Sequence, residues 1–334
     1  MADAPPLITT DLDFNADGLQ RGVLRVPYSH DRSAYGFIPI PLVVARRGQG
    51  PTVLLTGGVH GDEYEGPIAL IRLIRELRID ELHGRLIIVP MLNAPAVQAA
   101  TRTSPIDRIN LNRTFPGDRN GTPTEMIADY VERVLLPLAD YAFDFHAGGS
   151  SLDYLPTLFA MPPRSDRERQ ATDRLVAAFA APRVLYMEAL ENDRLVSAAA
   201  RRHGVPFLTG EFGGGATTNR EGLAVLERGL AGLLDVLDVL RRRTPPPPAA
   251  PRRTLESSGR HYLYAPRPGL FEPRFSLGDE VRAGHLAGLI HDTVEPWGDP
   301  VPVSWSADGL VLCIRTFSLV VAGDCLGHLG SDVA

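Results

Sequence analysis

The chain reads GGVHGDE over residues 57–63, shortly after an apolar segment, TVLL, at residues 52–55. The apolar segment predicts a buried strand, and the glycines that follow it predict a turn. His60 and Glu63 stand three positions apart in that turn, which brings both side chains to one side. An imidazole and a carboxylate suit zinc, whose catalytic sites often use two His and one Glu. The pair alone also fits solvated loop residues, because this spacing often arises by chance.

A second segment supplies another candidate ligand. Residues 141–149 read YAFDFHAGG, which predicts a strand that ends at a glycine-rich turn. His146 then lies at the carboxyl end of its strand, where open α/β sheets place their sites. Asp144, two residues earlier, points to the same face and is a candidate to accept a hydrogen bond from a ligand imidazole. The alternative is a capped strand end with a polar histidine.

Two further segments place polar side chains beside turns. Residues 110–117 read NLNRTFPG, in which Asn112 precedes Arg113, and a guanidinium matches a carboxylate bidentately. Residues 209–215 read TGEFGGG, in which Glu211 is a candidate general base with a pKa open to tuning by burial or a metal. The alternatives are a surface turn for Asn112 and Arg113 and a solvated loop acid for Glu211.

In this order, the four segments resemble the succinylglutamate desuccinylase and aspartoacylase family, which is related to the zinc carboxypeptidases. The resemblance is carried by the motifs GGVHGDEYEG, NLNRTFPGD, DFHAGGSSLDY and GEFGGG, and it extends from Val23 to the end of the chain. It implies an α/β fold with a zinc-carboxypeptidase-like mixed sheet flanked by helices. It also implies a smaller C-terminal all-β domain of the barrel-sandwich type that covers the mouth of the active site.

The residue chemistry and the resemblance together imply a zinc-dependent amide hydrolase. One zinc ion per chain is expected, with His60, Glu63 and His146 as ligands and a water molecule in the fourth position. Glu211 is expected to take the proton from that water and later to give it to the leaving amine. Arg102, upstream of the Asn-Arg pair, is the candidate cation that stabilises the oxyanion.

The expected substrate is a small N-acyl amino acid whose carboxylate is held by Asn112 and Arg113. The phrases TRTSPID and GGSSLDYLP resemble the subgroup of the family that deacetylates N-acetyl-2,4-diaminobutyrate in ectoine breakdown. Asp153, in the second phrase, is the candidate to pair with the ammonium of that substrate, because an unpaired ammonium is costly to desolvate. The alternative for Asp153 is a loop cap.

Three other functions stay open at this point. One is a deacylase of the N-acetyl-aspartate or N-succinyl-glutamate type, and another is a metallocarboxypeptidase. The third is a non-catalytic carboxylate-binding module. A binder needs no base beside a metal, so Glu211 argues against the module. A β domain that narrows the entrance argues against long peptide substrates.

Composition excludes several classes of function. The 334 residues are 44% hydrophobic, carry a net charge of −6 and include no lysine. The charge does not suggest a nucleic-acid partner, and the missing lysine excludes a protein Schiff base or a biotinyl carrier. No apolar stretch predicts a membrane span or a signal peptide. The protein is therefore expected in the cytoplasm, with Cys313 and Cys325 as free thiols. The oligomeric state stays open, a homo-oligomer being one option.

The chain is predicted to divide near Thr244. Strand and helix patterns alternate over residues 1–243, the expected catalytic α/β domain, whereas short strands and glycines alternate over residues 255–334, the expected β domain. A proline-rich linker is expected at residues 244–254. The first 40 residues or so are a candidate to pack with the β domain. Helical periodicity predicts helices over residues 67–78, 124–136, 167–179 and 221–242.

Overall fold

A mixed β-sheet of fourteen strands dominates the structure, a computed structural model that describes residues 5–240 and 253–333. A second sheet in the described part has four strands. The strands are β1 (Gly18–Pro27), β2 (Phe37–Arg47), β3 (Thr52–Gly57), β4 (Gly84–Val89), β5 (Tyr141–His146), β6 (Leu152–Tyr154), β7 (Thr157–Ala160), β8 (Arg183–Met187), β9 (Phe207–Glu211), β10 (Arg253–Ser257), β11 (Tyr262–Tyr264), β12 (Gly269–Pro273), β13 (Glu280–Val281), β14 (Leu286–His291), β15 (Val301–Ser304), β16 (Gly309–Arg315), β17 (Leu319–Val320) and β18 (Cys325–Asp332). The helices are α1 (Glu65–Glu76), α2 (Ala94–Ala99), α3 (Pro123–Tyr130), α4 (Leu136–Leu138), α5 (Asp166–Phe179), α6 (Val196–Arg202) and α7 (Arg220–Val236).

The centre of the larger sheet consists of the parallel strands β4, β3, β5 and β9, in that order. Every residue of β3 is buried, as expected where helices cover both faces of a parallel sheet. Parallel strands end at the same edge, and here Gly57 pairs with Phe145 while His146 pairs with Glu211. This register brings the carboxyl ends of β3, β5 and β9 together.

Helices cover both faces of the larger sheet. Helices α1, α5 and α7 pack with Leu55 in one core, whereas α3 and α6 pack with Leu54 in the other. The two leucines serve different cores because successive side chains of a strand point to opposite faces. The predicted α/β architecture is therefore confirmed. Among the described residues, none of the helices combines the length and apolarity needed to cross a bilayer.

The smaller sheet is antiparallel, with the order β15-β14-β12-β17. Its side chains contribute to a separate core that includes Phe271, Phe275 and Trp305. The rings of Phe275 and Trp305 meet edge to face with their centroids 4.9 Å apart, a favourable arrangement of two aromatic quadrupoles. The predicted all-β character of the C-terminal region is confirmed.

Two strand pairings join the C-terminal region to the catalytic sheet. Strand β10 runs parallel to β8, and β6 runs antiparallel to β16. Because β10 begins at Arg253, the last two residues of the predicted linker belong to a strand. Residues 244–252 of that linker lie outside the described residues. The division into two domains stays a prediction, since the larger sheet continues from one region into the other.

The N-terminal strands extend the catalytic sheet at its far edge. Strand β1 pairs with β2, and β2 pairs with β4, so both lie far from the C-terminal strands in the sheet order. Ile8, Leu24 and Ile40 are buried in the same core as helix α3. The suggestion that this segment packs with the β domain is therefore wrong, because its apolar residues complete the core of the catalytic region.

Candidate metal and catalytic site

Three predicted ligands meet at the carboxyl edge of the larger sheet. Nδ1 of His60 lies 2.7 Å from Oε1 of Glu63, and Nδ1 of His146 lies 2.7 Å from Oε2 of the same carboxylate. One ligand atom from each of the three residues lies within 4.8 Å of the others, and all three side chains are buried. The sequence places them 86 positions apart at most, and the parallel pairing of β3 with β5 brings them together.

The turn after β3 is fixed by close backbone packing. A Cβ atom on Gly61 would lie 1.9 Å from the carbonyl oxygen of Ala96 in α2, so only glycine fits there. The Gly61 N–H also donates to the Thr101 carbonyl at 2.9 Å. These contacts hold His60 and Glu63 on either side of Gly61 in place, which is what a preorganised ligand pair requires.

Each histidine has its second ring nitrogen held by a partner. Nε2 of His60 lies 3.0 Å from Oδ1 of Asn110, and Nε2 of His146 lies 2.7 Å from Oδ2 of Asp144. Asp144 is itself fixed, because its Oδ1 accepts a hydrogen bond from the Thr56 hydroxyl at 2.7 Å. With Nε2–H donating outward, both Nδ1 atoms present lone pairs to the shared centre, as in metal-binding histidines. The structure thus places Asp144 where the sequence predicted it.

The electrostatics of the cluster suit a divalent cation. Burial lowers the pKa of His60, which favours the neutral imidazole that a metal requires. Burial acts the same way on His146, but the carboxylates of Asp144 and Glu63 outweigh it and hold the pKa of His146 well above its ordinary value. The pKa of Glu63 is raised by burial and lowered more strongly by the two histidines, so it stays well below its ordinary value. Two imidazoles and one anionic carboxylate therefore fit zinc, with a cation taking the place of the proton on His146.

A cavity of about 250 Å³ opens beside this cluster. Its polar lining contains predicted ligands, the predicted base and the predicted substrate-binding residues: His60, Arg102, Asn112, Arg113, His146 and Glu211. Apolar side chains form another part of its wall: Phe159, Met187, Leu195, Val196 and Phe207. The small volume suits a small-molecule ligand.

Glu211 has the geometry of a general base. It is the last residue of β9, where it pairs with His146 across the parallel ladder. Its Oε2 is buried and has no hydrogen-bond partner among the described residues, although the side chain lines the cavity. Burial, with a smaller contribution from Glu63, raises the pKa of Glu211 to about 8. A carboxylate with a free oxygen beside the ligand cluster can accept a proton from a group bound there.

Donor groups also line the cavity beside the cluster. Nη1 of Arg102 lies 3.4 Å from Oε1 of Glu63, at the edge of the ligand group. Oδ1 of Asn112 accepts a hydrogen bond from the Val196 N–H at 3.0 Å, which leaves the amide N–H₂ for the cavity. Arg113 donates to the Asn112 carbonyl at 2.6 Å, and burial lowers its pKa without removing its charge. The cavity thus receives two guanidinium groups and an amide that can bind a carboxylate.

Asp153 is not among the residues that line this cavity, whereas its neighbours Leu152 and Tyr154 are. All three belong to β6, in which successive side chains alternate between faces. The structure does not bring Asp153 into the lining, since closeness in sequence to His146 is not closeness in space, and its pairing with a substrate ammonium stays a prediction. Burial raises the pKa of Asp153, in keeping with a position against β16.

Sequence reasoning missed three residues of the site. Asn110 holds His60, and Tyr154 and Tyr262 line the cavity. Asn110 stood within the NLNR motif, but nothing distinguished it from Asn112 as a histidine partner. Tyr262 lies 51 residues beyond Glu211, in a region whose pattern predicted only short strands. A pairing of strands from distant parts of the chain was needed to find it.

Comparison with known proteins identifies the family of the chain. The family model described as the succinylglutamate desuccinylase/aspartoacylase catalytic domain matches residues 49–237. N-alpha-acetyl-L-2,4-diaminobutyric acid deacetylase of Halomonas elongata is 40% identical over 330 residues, which cover 98% of this chain and 96% of the relative. The product-bound ectoine utilization protein EutE (DoeB) of Ruegeria pomeroyi is 36% identical, with a TM-score of 0.94 over 98% of this chain and 100% of that chain. A succinylglutamate desuccinylase/aspartoacylase from Rhodobacter sphaeroides is 37% identical, with a TM-score of 0.93 over 98% and 99% of the two chains. On these matches, the chain belongs to the succinylglutamate desuccinylase/aspartoacylase family.

Proposed function

We propose that this protein is a zinc-dependent deacylase that hydrolyses N-α-acetyl-L-2,4-diaminobutyrate to diaminobutyrate and acetate in ectoine breakdown. One observation carries the chemistry: a free carboxylate oxygen of Glu211 lies beside a cluster of three metal-ligand side chains in one small cavity. The substrate is supported by the deacetylase of Halomonas elongata, which is similar over nearly its full length.

The mechanism assigns a task to each polar group. When bound by His60, Glu63 and His146, a zinc ion supplies a Lewis acid that activates water and polarises the acyl carbonyl. Glu211 accepts the proton of the attacking water at its free oxygen and returns it to the leaving nitrogen. Arg102, next to the ligand group, stabilises the negative charge that develops on the carbonyl oxygen.

The carboxylate end of the substrate is held by the donor groups of Asn112 and Arg113. Arg113 and the amide of Asn112 bind the α-carboxylate and orient the amide bond toward Glu211. Rigid positioning of this kind lowers the barrier because the reacting groups no longer have to find each other. Among the described lining residues, Arg102 and Arg113 are the only guanidinium groups. Both are occupied in this arrangement, which leaves no cation for the second carboxylate of an N-acyl aspartate or glutamate.

A competition assay tests the substrate. The zinc-loaded enzyme is given N-acetyl-diaminobutyrate, N-acetyl-aspartate and N-succinyl-glutamate together, and the amine products are quantified. We expect the cationic substrate to have the highest kcat/KM, by about tenfold or more, which is about 1.4 kcal/mol in transition-state binding. If an acidic substrate leads by that margin, the diaminobutyrate assignment is wrong while the zinc deacylase assignment survives. If none is hydrolysed, the deacylase assignment fails as well.

Arg113→Lys is expected to lower kcat/KM by about tenfold or more, since a lysine keeps the charge but loses the planar fork that binds a carboxylate bidentately. The comparison substrate is the carboxamide of N-acetyl-diaminobutyrate, which has no α-carboxylate to bind. Wild type and variant should hydrolyse that compound at similar rates. An equal loss on both compounds would show that Arg113 does not read the carboxylate. Arg21→Lys, an exposed position, serves as the matched control.

A further inference from the structure

One residue of the C-terminal region reaches the catalytic cavity. Among the described lining residues, Tyr262 alone comes from residues 253–333. It opens β11, which pairs with β18 so that Tyr262 lies opposite His328. The remaining lining residues lie between His60 and Glu211. The C-terminal strands therefore place a single side chain against the substrate space.

The ring of Tyr262 is held in a fixed position. It stacks on the imidazole of His328 with centroids 4.2 Å apart and planes 5° from parallel. His328 is fully buried and anchored, with Nε2 2.6 Å from the Ser257 hydroxyl and Nδ1 3.4 Å from the Tyr154 hydroxyl. Burial lowers the pKa of His328 to about 3, so the stacked ring is neutral. The ring of Tyr264 also stacks on that of Tyr262, with centroids 6.0 Å apart and planes 19° from parallel. Two neighbouring rings thus fix the orientation of a side chain that lines the cavity.

The hydroxyl group of Tyr262 makes no hydrogen bond with the described residues, although the residue is half-buried. Burial is the main cause that raises the pKa of Tyr262 well above its ordinary value, and the nearby charge of Glu211 adds to it. The group therefore keeps its proton, and its oxygen lone pairs remain available as acceptors.

The substrate of the proposed function has one group that the mechanism leaves without a partner. Its carboxylate is held by donors and its amide lies at Glu211, but its side-chain ammonium needs acceptors, because it carries three donors and no lone pair. The hydroxyl of Tyr154 already contacts His328. Ser197 and Thr209 are 2% and 6% exposed, deep in the wall, and Thr209 shares a strand face with Glu211. Among the described polar lining residues to which the mechanism gives no task, Tyr262 has a hydroxyl without a hydrogen-bond partner.

We propose that the hydroxyl of Tyr262 accepts a hydrogen bond from the side-chain ammonium of the substrate and so selects a cationic N-acetyl amino acid. This inference rests on the proposed function and adds the residue that reads the side chain. It assigns to the C-terminal region the part in specificity that the sequence had given to Asp153.

The test compares two substrates that differ only in the ammonium. kcat/KM is measured for N-acetyl-diaminobutyrate and N-acetyl-2-aminobutyrate with zinc-loaded wild type, Tyr262→Phe and Tyr264→Phe. Tyr264 lies on the same strand and is 51% exposed, which makes it a matched control. Loss of a hydrogen bond to a charged group should lower kcat/KM of Tyr262→Phe about tenfold or more on the cationic substrate. On the neutral substrate the change should stay within about twofold, and Tyr264→Phe should match wild type on both.

Competitive inhibition by the product gives a second measurement that does not depend on turnover of the substrate. Tyr262→Phe should weaken inhibition by diaminobutyrate but not by 2-aminobutyrate. Equal losses on both substrates, or no loss on either, overturn the assignment of Tyr262. Wild type that ignores N-acetyl-diaminobutyrate overturns the proposed function together with this inference. Wild type that prefers it, with the preference intact in Tyr262→Phe, overturns the inference alone.

Discussion

Replacing His146 by alanine will strip zinc from the protein and reduce hydrolysis to the background of the assay. The variant leaves His60 and Glu63 as a pair, which is too few ligands for a stable tetrahedral site. It also removes the partner of Asp144, whose buried carboxylate then has no imidazole to pair with. Elemental analysis after gel filtration measures the metal, and amine release measures turnover. His60→Ala should behave in the same way.

Two sets of variants distinguish residues that bind the metal from residues that hold the ligands or lie elsewhere. Asn110→Ala and Asp144→Asn remove the groups that hold the ligand imidazoles, so they should weaken zinc binding by roughly 10- to 100-fold without abolishing it. His285→Ala changes an exposed histidine outside the cluster and should keep the full metal content. A His146→Ala protein that still carries one zinc ion per chain would refute the ligand assignment.

The meeting of His60, Glu63 and His146 could be predicted because they lie at or shortly after the carboxyl ends of two strands of strong apolar character. The segments at residues 52–55 and 141–145 had to be buried strands, and parallel neighbours end at one edge. His60 and His146 could therefore be expected to meet. Helix bounds were predicted less well. The leucine pattern predicted a helix to residue 242, but α7 ends at Val236, and Asp238 adopts a φ of 57° that breaks it.

The start of α3 also differs from its predicted position, and the capping residues explain why. The periodicity predicted a helix from residue 124, but α3 begins at Pro123, with Thr122 as its N-cap. The Thr122 N–H donates to the Glu125 carboxylate at 2.7 Å, and proline at the first helical position gives up an N–H that has no intrahelical partner. The capping residues thus set the start of α3, although the apolar pattern alone suggested that the helix begins later.

Contacts between distant strands were beyond sequence reasoning. Asp153 turned away from the cavity because β6 pairs with β16, in a register that places Tyr154 opposite Cys313. That register is fixed by side chains about 160 positions apart, and a shift by one residue would exchange the two faces of β6. Tyr262 likewise lines the cavity through a long-range arrangement, in which its strand β11 pairs with β18. The cavity lining contributed by distant strands was therefore harder to predict than the cluster of His60, Glu63 and His146.

Glu211→Gln will keep zinc and substrate binding while kcat falls by roughly 10²-fold or more. Glutamine has the same size as glutamate, but its amide cannot take a proton from water. Glu65→Gln is the matched control, since Glu65 is also buried with an unpartnered Oε2 and a pKa that burial raises to about 7, yet it does not line the cavity. That variant should retain most of its activity.

The distribution of the loss between kcat and KM decides the role of Glu211. A general base takes part in proton transfer in the transition state. Its removal therefore lowers kcat and kcat/KM together and leaves KM near the wild-type value. A residue that only holds the substrate would raise KM with kcat unchanged. Retention of most of the turnover by Glu211→Gln would remove Glu211 from catalysis, and a simultaneous loss of zinc would make it part of the metal site instead. The Oε2 atom of Glu211, which is buried and has no hydrogen-bond partner among the described residues, favours the role of general base, because it can accept a proton from a group bound at the cluster.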